Sequence, residues 1–227
     1  MAAAALAAGV ISSQAGVYSA NIVGYVNVPL KGGNAFNFIT SPIGGTNAAE
    51  VAIPGIATGD NVYIWTGSGY QILSFVSSNF DGAGDSYVDS SGNPQPSPIL
   101  NPGQLFIYQT PQATYTNTFV GTCILSNSLV LKGGNAFNYI ASSVPVADTL
   151  DGTNLAIPFR TGDNAYLWTG TGYNILSYVS PNFDGAGDTW VDAGGNPKPS
   201  PTISVGQGFI YQTPGSTYTW TQNFNAQ

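Results

Sequence analysis

The sequence contains no histidine and very few charged residues. Only 7% of its 227 residues are charged, against about 25% in an average globular protein. Without histidine the chain cannot build a Ser-His-Asp triad, a Cys-His pair or an imidazole metal site. Its positive charges are Lys31, Lys132, Arg160 and Lys198, too few to follow a nucleic-acid backbone. These absences favour a non-enzymatic protein and argue against nucleic acid as a partner.

Cysteine is almost as scarce, because Cys123 is the only one in the sequence. A disulfide within the chain is therefore excluded. We expect a buried, inert thiol, and the alternative is a bridge between two molecules.

Residues 1–20 are small and mostly apolar, and Ala15 and Ala20 each end a short stretch that resembles a signal-peptidase site. The segment is too short and too rich in Ala and Ser to span a bilayer, so we expect no membrane span. It lacks the basic residues that open most export signals, since Lys31 is the first cation. We interpret it either as a signal for secretion to the extracellular space or cell surface, or as a retained assembly segment.

An internal repeat dominates the rest of the chain. Lys31–Ile39 returns almost unchanged as Lys132–Ile140, and most residues of 58–76 recur in 161–179. A period of about a hundred residues is that of a domain rather than of a solenoid unit. We therefore predict two repeats, 21–120 and 121–227, with no linker between them.

Each repeat has the composition of a β domain. The chain is 43% hydrophobic and 12% aromatic, with 29 Gly and 15 Pro that supply turns. The segment 58–76 predicts a hairpin that turns at Gly67–Gly69, and Ile22–Val28 predicts a strand that ends at Pro29. The spacing of turns indicates two tandem antiparallel β-sandwich-like domains, and no segment has helical periodicity.

Two Asp-rich turns are candidates for calcium binding. Alternating oxygen ligands with a glycine at the sharp bend are typical of a calcium loop. The fifth ligand position is alanine and no Glu closes either loop, so a structural turn with solvated carboxylates is the alternative. The candidate ligands are Asn79, Asp81, Asp85, Asp89, Asn182, Asp184, Asp188 and Asp192.

The four tryptophans could contribute to a core or to a sugar-binding surface. Trp65 and Trp168 stand in the middle of the repeated hairpins, which favours core positions. Trp190 and Trp220 replace Tyr87 and Asn117 of the first repeat. Because these positions vary between the copies, we expect them to be more exposed and to be candidate glycan contacts.

Two further chemistries receive less support from the residues. The paired Asp residues could serve glycoside hydrolysis, but Gly-rich turns would keep them solvated with ordinary acidity. Lys31 and Lys132 beside Gly-Gly-Asn could form isopeptide bonds with asparagine, which requires a buried acid. Glu50, the only Glu, has no counterpart in the second repeat.

Several motifs together resemble a known group of proteins. They are the run 17–28, the Tyr-x-Trp-Thr-Gly-x-Gly-Tyr hairpins, the Gly-Gln-x-Phe-Ile-Tyr strands and the Tyr-Thr-Trp-Thr-Gln-Asn-Phe ending at Phe224. The chain is similar over nearly its whole length to secreted tandem-repeat β proteins of verrucomicrobial-type bacteria. The resemblance implies export and two β-rich units, and it implies no activity.

We therefore expect a secreted structural protein that assembles head-to-tail with itself into a filament, sheath or surface layer. The closing strand of the second repeat has no third unit to follow it, and the opening strand of the first has none before it. The alternative is a carbohydrate- or surface-binding module, calcium-assisted, with extracellular polysaccharide as its partner. The candidate assembly residues are Val17, Ile22, Val23, Tyr25, Tyr218 and Trp220.

Overall fold

The computed structural model describes residues 23–45, 48–77, 84, 86–180 and 189–224. The predicted fold class is confirmed: nearly all regular structure is antiparallel β, in two similar units that follow the repeat. The elements of the first repeat are β1 (Val23–Leu30), β2 (Phe36–Ile39), α1 (Ala49–Ala52), β3 (Asn61–Trp65), β4 (Tyr70–Val76), β5 (Ser86–Val88), β6 (Pro94–Gln95), β7 (Phe106–Gln109) and β8 (Tyr115–Thr122).

The second repeat has a similar plan, but it lacks the short helix and has an additional short strand pair, β11–β16. Its elements are β9 (Ser126–Leu131), β10 (Phe137–Ala141), β11 (Asp148–Thr149), β12 (Asn164–Trp168), β13 (Tyr173–Val179), β14 (Thr189–Val191), β15 (Pro197–Lys198), β16 (Thr202–Ile203), β17 (Gly208–Gln212) and β18 (Tyr218–Asn223).

Each repeat packs a two-stranded ribbon against a six-stranded sheet. The sheets have the orders β2-β7-β3-β4-β5-β6 and β10-β17-β12-β13-β14-β15, and the ribbons are β1-β8 and β9-β18. Alternate residues of a ribbon point inward, so Leu30 and Phe119 join the first core and Leu131 and Trp220 join the second. This two-layer arrangement is the predicted sandwich.

Strand β1 runs further than we predicted. It continues through Pro29, which lies opposite Thr116, and ends at Leu30. Proline is tolerated here because, among the described residues, β1 pairs with a strand on one edge alone, and proline is confined to such edge strands.

The repeated Lys-Gly-Gly-Asn motif forms a tight turn between the ribbon and the sheet. Gly33 and Asn34 have positive φ values of 64° and 65°, which glycine and asparagine tolerate best. The Asn37 side chain accepts a hydrogen bond from the Lys31 backbone N–H (2.8 Å) and donates one to the Lys31 carbonyl (2.9 Å). The second repeat reproduces these bonds, so the turn explains every repeated residue of the motif except the lysine side chain.

The two repeats meet through an approximate twofold contact. Edge strand β2 bridges to the second repeat at Ile39–Gln207, and edge strand β10 bridges to the first at Gln104–Ile140. Thr40 N–H donates to the Gly206 carbonyl (3.0 Å). The apolar centre of this contact contains Phe38, Leu105, Ile107 and Ile210.

One position breaks the twofold symmetry. A Cβ atom on Gly208 would lie 2.3 Å from Leu105 Cδ1, so Leu105 fills the space that its counterpart glycine leaves open. Leucine at both position 105 and position 208 would produce a collision, and glycine at both positions would leave a cavity. The first repeat is therefore complementary to the second rather than to another copy of itself.

This geometry corrects one of our expectations. The opening strand β1 and the closing strand β18 are not unfilled halves of the contact between the repeats, because each pairs inside its own repeat, with β8 and β9 respectively. An isologous contact of this kind also closes on itself and cannot propagate. A polymer would have to use a different surface.

In the part of the chain that the structure describes, no helix has the length and apolarity needed to cross a membrane.

Candidate interaction surfaces

The outer face of the first ribbon carries three exposed apolar side chains. Val23, Tyr25 and Val120 are 70%, 72% and 71% exposed. Tyr25 lies directly opposite Val120 in the strand pairing, and Val23 follows on the same face. We call these three residues the ribbon patch.

The second ribbon is polar at the same place. By the repeat, Tyr25 corresponds to Ser126 and Val120 to Asn223, and these two pair with each other. The Ser126 hydroxyl donates to Asn223 Oδ1 (2.9 Å). The next pair on this face is polar in both ribbons, with Asn27 opposite Thr118 and Ser128 opposite Thr221. The apolar patch is thus a property of the first repeat alone.

The edge of β1 lies beside the ribbon patch. Among the described residues no strand pairs with this edge, and β1 pairs with β8 alone. The far edge of β8 is partly covered, because Thr122 exchanges two backbone hydrogen bonds of 2.9 Å with Gly44. An extended segment that joins this sheet would therefore add to β1.

The predicted assembly residues divide into three groups. Val17 and Ile22 lie outside the described residues, and Val23 and Tyr25 are exposed on the ribbon patch. Trp220 is wrong as a surface contact because it is 0% exposed and donates from Nε1 to the Leu155 carbonyl (2.6 Å).

Tyr218 is also not a free contact residue. Its hydroxyl bonds that of Tyr211 (2.7 Å), and its ring lies beneath the Arg160 guanidinium at 4.7 Å. Both contacts hold it within its own repeat.

The predicted glycan contacts of Trp190 and Trp220 are wrong. Both indoles are buried in the second core, with 1% and 0% exposed. Trp190 fills the place that buried Tyr87 has in the first repeat. Trp220 takes over the hydrogen bond that Asn117 makes in the first repeat, where Asn117 donates to the Ala52 carbonyl (3.0 Å).

For the calcium hypothesis the structure describes only Asp89 and Asp192. Asp89 Oδ1 accepts backbone hydrogen bonds from Ser91 (2.9 Å) and Asn93 (3.0 Å), and Asp192 does the same with Gly194 and Asn196. These bonds, together with Lys198, lower the pKa of Asp192 to about 2. Both carboxylates thus cap turns, and the remaining six candidate ligands lie outside the described residues.

Two matching clefts flank the contact between the repeats, with volumes of about 310 Å³ and 280 Å³. Each combines a lysine and an aromatic residue from one repeat with the Trp-Thr-Gly turn of the other. The first cleft includes Lys31, Phe38, Trp168, Thr169, Gly170 and Gln207. The second cleft includes the counterparts Lys132, Tyr139, Trp65, Thr66, Gly67 and Gln104.

The two hairpin tryptophans bind across the repeats and are only half-buried, which differs from the core positions we expected. Trp168 stacks on Phe38 with ring centres 5.0 Å apart, and Trp65 stacks on Tyr139 at 4.6 Å. Trp168 Nε1 donates to the Phe36 carbonyl (3.0 Å), whereas Trp65 Nε1 has no hydrogen-bond partner in the described part of the chain.

A buried acid organises each core beneath the sheet. Asp60 is 0% exposed and accepts hydrogen bonds from the Tyr108 hydroxyl (2.5 Å), the Thr110 hydroxyl (2.5 Å) and the Ala57 N–H (2.8 Å). Asp163 repeats two of these bonds, from the Tyr211 hydroxyl and the Arg160 N–H to its Oδ2, whereas its Oδ1 has no partner among the described residues. These carboxylates are engaged in structure and are closed to substrate.

Burial and the bonds to Asp60 and Asp163 raise the pKa of Tyr108 and Tyr211 well above the usual value. Below about pH 10 the hydroxyl protons of these tyrosines are retained in the folded and in the unfolded protein. Above that pH the unfolded chain loses them first. We expect stability to fall above about pH 10, with a slope that approaches about 1.4 kcal/mol per pH unit for each of the two tyrosines. Denaturant unfolding between about pH 9 and pH 12 measures this slope, and Tyr108→Phe should reduce it. An identical slope in that variant would contradict the assignment.

Comparison of the chain with protein-family models, with curated proteins and with solved structures finds no match. Function therefore has to be inferred from the ribbon patch and the clefts themselves.

Proposed function

We propose that this chain is a secreted, non-enzymatic structural protein that polymerises head-to-tail into an extracellular filament, sheath or surface layer. The observation that carries the proposal is the ribbon patch beside the unpaired edge of β1. Val23, Tyr25 and Val120 remain about 70% exposed, although the equivalent surface of the second repeat is polar. Apolar side chains clustered at an open strand edge favour strand addition.

The occupant that fits this surface is a segment of a second copy. Residues 17–22, Val-Tyr-Ser-Ala-Asn-Ile, come directly before β1 and have the β-branched and aromatic residues of a strand. Added along β1 of a neighbour, they would form main-chain hydrogen bonds and pack alternate side chains against the ribbon patch. Retention of these residues is compatible with cleavage after Ala15.

Donor and acceptor in this contact are different surfaces, so the contact is heterologous. Such contacts produce open chains unless a rotation closes them into a ring. The contact between the repeats is closed, whereas strand addition leaves a free donor segment at one end of each assembly and a free β1 edge at the other. That is the property a linear polymer requires.

The composition supports a structural role. The sequence has no histidine, and the two buried acids accept hydrogen bonds from tyrosines instead of facing a cleft. The apolar N-terminal segment supports export.

Tyr25→Asp should abolish polymerisation. The new carboxylate would lie in the middle of the ribbon patch, where strand addition would remove it from water without a partner. Because Tyr25 is 72% exposed, the fold should change in stability by less than about 0.5 kcal/mol. Negative-stain microscopy and sedimentation of the purified protein measure the assembly.

Ser126→Asp is the matched control, since it adds the same charge at the equivalent place on the second ribbon. It should polymerise like the parent protein. Deletion of residues 1–22 should yield folded monomers. Filaments formed by Tyr25→Asp or by the truncated chain, indistinguishable from those of the parent, would defeat the proposal, as would a parent protein that stays monomeric at high concentration.

A further inference from the structure

Each of the two clefts contains a lysine that has no charged partner among the described residues. Of the four positive side chains in the sequence, Lys198 pairs with Asp192 (3.1 Å) and Arg160 lies over the Tyr218 ring. Lys31 and Lys132 have no ion pair or side-chain hydrogen bond to any residue that the structure describes. Both occupy the same place in their cleft.

Each lysine reaches across to the opposite repeat. Its Nζ lies 3.9 Å (Lys31) or 4.0 Å (Lys132) from the position of a Cβ atom on Gly170 or Gly67. The turn motif holds the lysine backbone, but no contact of the turn requires an ammonium group. The recurrence of lysine in both copies is therefore unexplained by the fold.

The surroundings of these lysines suit an anion attached to a weakly polar body. No Asp or Glu lines either cleft, although the chain has a net charge of −7. The clefts are thus local positive sites on an acidic protein, and their walls combine aromatic rings, aliphatic side chains and glycines with the amides of Gln104 and Gln207. Aromatic faces pack against sugar C–H surfaces, and amides hydrogen-bond to hydroxyl groups.

We propose that each cleft binds one acidic sugar unit of a polysaccharide, a uronic acid. The lysine ammonium forms a charge-assisted hydrogen bond with the sugar carboxylate. The tryptophan and the aromatic residue stacked on it line the apolar side of the cleft, and the glutamine amide donates to a hydroxyl. The molecule is then bivalent, with one site from each half of the twofold contact.

The test is calorimetric titration with trigalacturonate, a short uncrosslinked uronate. Titration of the full-length Tyr25→Asp protein separates this proposal from polymerisation, because that change lies on the ribbon and outside both clefts. We expect two sites per chain. Each single variant, Lys31→Met or Lys132→Met, should keep the one site whose lysine is unchanged. The double variant should bind trigalacturonate at least about tenfold more weakly at both sites.

Lys198→Met is the matched control, because it removes the same charge from a lysine outside the clefts and should keep both sites. Maltotriose, a neutral trisaccharide, tests the need for the carboxylate charge. It should bind at least about tenfold more weakly.

Several results would overturn the proposal: no binding of trigalacturonate, binding unchanged in the double lysine variant, equal loss in Lys198→Met, or binding of maltotriose as strong as that of the uronate. The lysines are exposed, and their side chains have no partner among the residues that the structure describes, so unfolding of these variants is not expected. Matching denaturation curves for the parent and the double variant provide the check.

Discussion

Replacing Trp220 with alanine should lower the free energy of unfolding by about 3 to 5 kcal/mol, the range found for large aromatic side chains removed from cores. The indole is 0% exposed and lies among Leu131, Leu155 and Tyr211 of the second core. Its Nε1–H also satisfies the Leu155 carbonyl. Truncation would leave a cavity and a buried acceptor without its donor.

Denaturant unfolding of Trp220→Ala measures the loss. Val130→Ala is the control on the same ribbon, because Val130 is 64% exposed and its truncation should cost no more than about 0.5 kcal/mol. An unchanged midpoint for Trp220→Ala would mean that the indole is not part of the core and would reopen its interpretation as a surface contact.

The second large loss of folding stability is expected when Asp60 is replaced. Asp60→Ala would leave the Tyr108 hydroxyl, the Thr110 hydroxyl and the Ala57 N–H without their acceptor in a buried site. Each unsatisfied buried donor costs about 1 to 3 kcal/mol, so we expect the three together to lower the free energy of unfolding by at least about 3 kcal/mol. Thermal or denaturant unfolding measures it.

Asp60→Asn retains one acceptor oxygen and should cost less than Asp60→Ala. Asp151→Ala removes an exposed carboxylate and should have little effect. A loss at Asp60 no greater than that at Asp151 would show that the buried carboxylate does not organise the core.

Much of the fold could be predicted from the sequence because the repeat and the turn chemistry are local. Strand alternation in 58–76 and the Gly67–Gly69 turn correspond to hairpin β3–β4, and the same reasoning located β12–β13. Helix α1 could not be predicted, since its four residues, Ala49–Ala52, are too few to reveal a helical period.

The environments of the tryptophans could not be predicted, for a physical reason. We took differences between the copies as a sign of exposure, but each repeat packs its own core. Trp190 packs edge-on against Phe159, which replaces Ile56, so two larger side chains contact each other within the second core instead of marking a surface. The identical Trp65 and Trp168 are preserved instead by equivalent contacts across the repeats.

The relative orientation of the two repeats also could not be predicted from the sequence. Tandem copies can be arranged by translation or by rotation, and the order of residues along the chain does not distinguish them. The choice depends on contacts such as Leu105 with Gly208, which are visible only after the fold is known.

The ribbon patch could have been found by comparing the two copies strand by strand. Tyr25 and Val120 face each other where the second repeat has Ser126 and Asn223. Their pairing, however, requires the register of β1 with β8, and the first ribbon joins segments about ninety residues apart. The twin clefts are still less accessible to sequence reasoning, because each combines side chains from both repeats.

Photo-crosslinking from Val120 in mixed assemblies tests the central claim most directly. Protein that carries a photoreactive residue in place of Val120 is assembled with an isotopically heavy, unmodified protein, and the crosslinked peptides are identified by mass spectrometry. The proposed polymer predicts light–heavy adducts between position 120 and residues 17–22. Adducts confined to a single molecule, or light–heavy adducts to any other region, would contradict it.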